Sequence, residues 1–198
     1  MTGGRKVAIA AALLGAAGLA AFALKRMPEE PAGPAPPEIR ITSPLAAPRA
    51  VIHRGARRLD LYDGDRLVKR YRVAMGSRSE GDKEREGDKT TPLGSFYICT
   101  RNDKSRFHLF MGLSYPEPED GERGLARGMI TTAERDGILR AHRERRCPPW
   151  KTRLGGEVGI HGGGAGRDWT LGCIALSNED VEELWKVLRL GDPVTIVP

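Results

Sequence analysis

Residues 160–176 read IHGGGAGRDWTLGCIAL and set His161 twelve residues before Cys173 across a glycine-rich stretch. Acyl transfer is the chemistry that uses such a pair. A thiolate is a strong nucleophile, but an ordinary cysteine titrates near pH 8.5 and is largely protonated at neutral pH. A nearby imidazole takes that proton and returns it later to a leaving amine. Glycines beside the thiol let a carbonyl substrate approach and leave backbone N–H groups to face a developing oxyanion. Each residue taken alone also has a structural use. A free cysteine often packs as a small hydrophobe, and a histidine among glycines often serves a loop. Zinc sites show paired ligands at short spacing, and Cys99, Cys147, His53, His108 and His142 show no such pairing.

These residues need elements to hold them. Residues 50–53, 57–62 and 67–73 have the pattern of strands, and Asp63-Gly64 between the last two is a hairpin signal. Residues 95–99 and 107–113 read as further strands, and 193–197 as a closing one. The spacing predicts a helix over 131–145, with Thr caps, acids early and bases late. A second helix starts after Ser177, with Asp180 three residues on as a capping-box variant. Its Val181, Leu184, Trp185 and Leu188 fall on one face, and Gly191 is its expected stop. Residues 77–89, SRSEGDKEREGDK, read as a solvated loop. The expected domain is mainly β (α+β), with one or two packed helices.

The chain has 198 residues, 25 of them glycine, and a formal net charge of +6. That length suits one domain with appendages and is enough to bury a core without staples. Residues 1–38 carry a net +1 and the rest +5, with both signs interspersed. No Lys/Arg run interleaved with aromatics is present, so nucleic acid is not an expected partner. Residues 7–24 are eighteen uncharged, apolar residues flanked by Arg5-Lys6 and Lys25-Arg26. That length is at the lower limit for a membrane-spanning helix. An uncleaved anchor in the inner membrane is the favoured reading. A cleaved signal, with Ala21-Phe22-Ala23 as the small-x-small site, and a buried helix are the alternatives. Residues 28–37, PEEPAGPAPP, form a semi-rigid spacer of about 30 Å. The expected organisation is an N-terminal signal or anchor at 1–27, a Pro-rich linker at 28–38 and a domain at 39–198.

Several ordered motifs in the domain resemble the L,D-transpeptidase catalytic domain family of bacterial cell-wall enzymes. His161-Gly162 and Thr170-Leu171-Gly172-Cys173-Ile174 match its active-site signature. The stretch from Gly87 through Lys89-Thr90-Thr91-Pro92 to Gly94 looks like its K-T-P-x-G turn with one residue inserted. Arg58 to Gly64 resembles its first hairpin, and Ser114-Tyr115-Pro116 and the closing Gly191 to Ile196 also fit. The resemblance covers about residues 50–197.

The resemblance implies a small β-sandwich-like mixed-sheet domain. It implies that Cys173 attacks the third-residue carbonyl of a peptidoglycan stem peptide and D-Ala leaves. His161 would be the base and then the acid, oriented by a backbone carbonyl for which Gly162 is the candidate. The N–H groups of Leu171, Gly172 and Cys173 are the candidate oxyanion donors, and no metal or organic cofactor is implied. The acyl group then passes to an amine, for cross-linking or protein attachment, or to water. Two departures bear on substrate contacts: Leu171 stands where many members have His, and Ala175 where many have Arg. The D-W-T-x-G-C-I-A-L form resembles a subgroup that includes hydrolases detaching a wall-linked protein, so transpeptidase and hydrolase both stand. A non-catalytic wall-binding domain is the third reading. Arg167, Asp168 and Trp169 either line the substrate cleft or hold the loop. The implied setting is the extracytoplasmic face of the cell envelope. In an exported domain Cys99 and Cys147 either pair, leaving Cys173 free, or stand as single thiols. Residues 123–151 read as an insertion.

Overall fold

The computed structural model describes residue 41 and residues 44–198. The anchor and linker expected at 1–27 and 28–38 lie outside the described residues. Among the described residues, no helix is long and apolar enough to cross a membrane.

The chain begins with three strands in a meander: β1 (Pro48–His53), β2 (Arg58–Asp63) and β3 (Arg66–Arg72). The Asp63-Gly64 hairpin forms as its sequence dictates, with Gly64 at φ 59°. β4 (Gly94–Ser105) and β5 (His108–Leu113) form a longer hairpin. Two short strands follow, β6 (Gly159–His161) and β7 (Ile174–Ala175), and β8 (Pro193–Val197) closes the domain. All eight belong to one sheet in the order β3-β2-β1-β8-β4-β5-β6-β7. The sheet is mixed: β1 with β8 and β6 with β7 run parallel, and the other pairs are antiparallel.

β4 joins the two halves. Its first four residues pair with β8, and from Ile98 onward it pairs with β5. Register irregularities between Ile98 and Thr100 and between Asn102 and Ser105 fall along the second part, where bulges bend and twist a strand. The sheet curls accordingly. Ile52, Leu59 and Leu61 from one half share a core with Ile98, Met111, Ile160 and Ile174 from the other.

Three helices form where one or two were expected. α1 (Pro118–Ala126) is the addition. It has Pro at its first turn, Glu119 and Asp120 at its positive end, and a capping box between Glu117 and Asp120. α2 (Thr132–Arg143) is capped reciprocally by Thr131 and Glu134. α3 (Asn178–Val187) has half of the expected box, since the Ser177 side chain accepts from the Asp180 N–H. It also stops earlier than expected: Leu188 is already extended at ψ 133°. Gly191, at φ 89°, serves the turn into β8 instead. Val181, Leu184 and Leu188 enter the main core, with Trp185 packed at its edge.

The segment read as an insertion contains the end of α1, all of α2 and the turn after it. Ile130, Ile138 and Leu154 give this satellite its own small core. A disulfide between Cys99 and Cys147, with Cα atoms 5.0 Å apart, ties it to β4. Tyr97 and Tyr115 add two anchors, donating from their hydroxyls to the carbonyls of Arg146 (2.8 Å) and Leu154 (3.1 Å).

Candidate active site

His161 ends β6 and Cys173 immediately precedes β7. These strands pair in parallel, with Ile160 opposite Ile174 and His161 opposite Ala175. Ala175 lies two residues past Cys173, and side chains repeat on one face of a strand every second residue. The register therefore brings imidazole and thiol to the same side of the sheet. The pairing also explains how residues twelve apart come to neighbouring strands: the intervening loop leaves one strand and re-enters the next.

The imidazole is held on several sides. Its Nδ1 donates to the Gly162 carbonyl at 2.6 Å, which leaves Nε2 as the acceptor nitrogen. The ring stacks on Phe107, 4.6 Å between centroids, and meets the edge of Trp169 at 5.7 Å. Only 1% of His161 is exposed. Burial lowers its pKa below the ordinary value, opposed in part by the Gly162 hydrogen bond. The ring is thus neutral at pH 7, in the protonation state a base requires.

Cys173 is the free cysteine. Its Sγ donates to the Glu157 carbonyl at 3.3 Å, and no thiol–imidazole hydrogen bond is present among the described residues. Burial pushes the thiol up to about 11, against the Gly159 N–H and the Lys83 ammonium, which pull it down. Both shifts favour the neutral form of each group.

The turn before Cys173 is fixed by Thr170. Its Oγ1 accepts the Gly172 N–H (3.1 Å) and donates to the Cys173 carbonyl (2.7 Å). Of the three expected oxyanion donors, Gly172 donates within the turn. The N–H groups of Leu171 and Cys173 carry no hydrogen bond among the described residues. Gly172 has φ +136°, and a Cβ there would stand 2.8 Å from the Thr90 carbonyl oxygen. Only glycine suits that position. Gly162 is confined differently: a Cβ on it would meet Asn178 Oδ1 at 2.5 Å.

The three residues expected at the cleft separate into different roles. Asp168 is engaged on both oxygens. Oδ1 accepts the Met75 N–H at 3.0 Å, and Oδ2 accepts from Arg57 Nε and Nη2 at 2.9 and 2.8 Å. It pins the loop to the first half of the sheet. Trp169 donates from Nε1 to the Gly164 carbonyl at 3.1 Å and lies against His161. Arg167 is exposed. Leu171 is 68% exposed beside the thiol, an apolar side chain at the mouth of the site. A pocket of about 430 Å³ is lined by Arg54, Arg57, Met75, Arg78 and Asp168 among others. It lies behind the Asp168 clamp, and neither Cys173 nor His161 lines it.

Several residues around the site carried no signal in the sequence: Met75 against Asp168 and Thr170, Phe107 against His161, Glu157 at the thiol and, above all, Lys83. The charged run 77–89 is not simply a solvated loop. Lys83 and Asp88 have side chains only 3% and 6% exposed and pair at 2.8 Å. Among the described residues, no group of three or more His, Cys, Asp or Glu is arranged to hold a metal ion.

A family model for the L,D-transpeptidase catalytic domain (YkuD) matches residues 47–196. The chain belongs to the L,D-transpeptidase catalytic domain family. The fold is similar to the crystal structure of the helical cell shape determining protein Pgp2 from Campylobacter jejuni. That match has 22% identity and a TM-score of 0.54, and covers 76% of this chain and 47% of that one. An L,D-transpeptidase from Xylanimonas cellulosilytica also matches, at 16% identity and TM-score 0.48, over 79% of this chain and 62% of that one. The chain thus spans from about half to three fifths of these solved structures. No curated protein is matched by its sequence.

Proposed function

We propose that this protein is a peptidoglycan-modifying cysteine acyltransferase, with Cys173 as nucleophile and His161 as general base and then acid. The supporting observation is the imidazole locked by the Gly162 carbonyl, with Nε2 left open, on the strand next to the one Cys173 enters. Nε2 takes the Sγ proton as sulfur attacks the third-residue carbonyl of a stem peptide. The Leu171 and Cys173 N–H groups receive the oxyanion. The C–N bond to D-Ala breaks, Nε2 returns the proton to the departing amine, and a thioester on Cys173 remains. An incoming amine loses its proton to Nε2 and forms the new amide, and the thiol is restored. Water in place of the amine gives the hydrolase reading on the same thioester.

The apolar residues 7–24 and the Pro-rich spacer support an extracytoplasmic domain held near the inner membrane, facing the wall. Stem peptides are the proposed partner, together with a wall-linked protein in the attachment or release reaction. The products of a defined tetrapeptide, with and without an amine acceptor, distinguish transfer from hydrolysis by mass. Cys173→Ala is expected to abolish both products. Retained turnover in that variant overturns the proposal, and sacculus binding without any wild-type turnover favours a wall-binding domain.

A further inference from the structure

The Lys83–Asp88 pair is an unexplained expense for a surface loop. Burying two charges is unfavourable unless both are paired and hydrogen-bonded, and here both are. Asp88 accepts from Lys83 Nζ (2.8 Å), Glu84 N (2.8 Å), Arg85 N (3.0 Å) and Thr90 N (3.1 Å). Lys83 Nζ also donates to the Arg85 carbonyl at 3.0 Å. The pair lies directly behind the nucleophile turn. A Cβ on Gly172, the residue before Cys173, would stand 3.9 Å from Lys83 Nζ. The ammonium is nearly inaccessible to solvent, so it cannot meet a substrate. It can act on the thiol, because charges interact strongly where water is excluded.

We infer that Lys83, held in place by Asp88, is a positioning residue whose buried charge favours the anionic form of Cys173 during attack. The inference rests on reading Cys173 as the nucleophile. Lys83 is the cation that lowers the thiol's pKa, and Glu157 is the carboxylate that raises it. His161 is the other titratable group at the site, and Asp88 offsets part of the Lys83 field.

This arrangement predicts opposite effects from the two halves of one ion pair. Lys83→Met removes the cation and slows alkylation of Cys173 by iodoacetamide at pH 8. Asp88→Asn removes the offsetting anion and speeds it. Below the thiol's midpoint each pKa unit changes the thiolate tenfold. The accompanying change in nucleophilicity returns part of that, leaving about three- to fourfold in rate per unit. Lys83→Arg keeps the charge and is expected to stay within about twofold of wild type, where a full pKa unit would exceed that change. Cys99 and Cys147 are bonded to each other, so alkylation reports Cys173 alone. A purely structural pair predicts the same direction for both variants, or no change in either once circular dichroism shows a native fold. Either result overturns the inference. Should Lys83→Met not fold, Asp88→Asn decides: acceleration supports the role, and an unchanged or slower rate ends it. Alkylation needs no wall substrate. Its failure would leave acyl transfer standing, and loss of the acyl-transfer reading would not alter the alkylation rates.

Discussion

At the scale of single residues, the resting protonation state is the distinguishing feature of the site. A thiol pushed up to about 11 and an imidazole pulled below its ordinary value disfavour a resting thiolate–imidazolium pair at neutral pH. Proton transfer then accompanies attack, and the neutral imidazole is the species that must be present. Its share falls as pH drops through the lowered His161 pKa. The acid limb of kcat/KM is therefore expected below pH 6.5, with a plateau through neutral pH. A limb centred above 7 would contradict this assignment. The two residues proposed to react were legible in the sequence because a family signature marks both. Lys83 was not. Inside a run of thirteen mostly charged or small polar residues nothing distinguishes one lysine, and Gly172 comes up to it from a distant part of the chain.

At the scale of elements, the turn before Cys173 is held from three directions. Thr170 fastens it internally, Asp168 fastens it to Met75 and Arg57, and Ala74 pairs with Ala175 through reciprocal backbone bonds of 2.9 and 2.8 Å. Gly172→Ala tests this clamp. The new Cβ would press on the Thr90 backbone, which cannot yield as a flexible side chain would. A side chain in this φ region costs about 1–3 kcal/mol. Displacing the thiol by as little as an ångström lowers the acylation rate on the order of 100-fold. Denaturant unfolding and single-turnover acylation measure the two effects, and wild-type values in both would refute the clamp. The longer strands and both expected helices were readable from period and caps. β6 and β7 were not, because strands of three and two residues are too short to show alternation and exist through their neighbours. α1 did carry a signal in its N-terminal proline and first-turn acids. Its glycines and flanking prolines make the same stretch read as a loop.

Over the whole molecule, one curled sheet supports the site and a satellite of two helices is stapled to it. The Cys99–Cys147 bond spans 48 residues and joins that satellite to β4, the strand shared by both halves. Closing a loop of that length is worth about 4 kcal/mol in the chain-entropy account. Paired Cys99→Ala and Cys147→Ala substitutions are expected to lower unfolding stability by about 2–4 kcal/mol while leaving Cys173 alkylation nearly unchanged. An equal stability in the double variant would show that the satellite packs without its staple. The resemblance set Cys173 aside and left Cys99 and Cys147 either paired or single, and the approach of the 147 turn to β4 is a tertiary fact that no local pattern carries. Intact mass with peptide mapping, after mixing with a defined tetrapeptide, detects the proposed thioester on Cys173. The expected result is transient addition of the stem peptide less D-Ala, confined to the peptide containing Cys173 and absent from Cys173→Ala. Product formation with no adduct on Cys173, or undiminished in the variant, would contradict it.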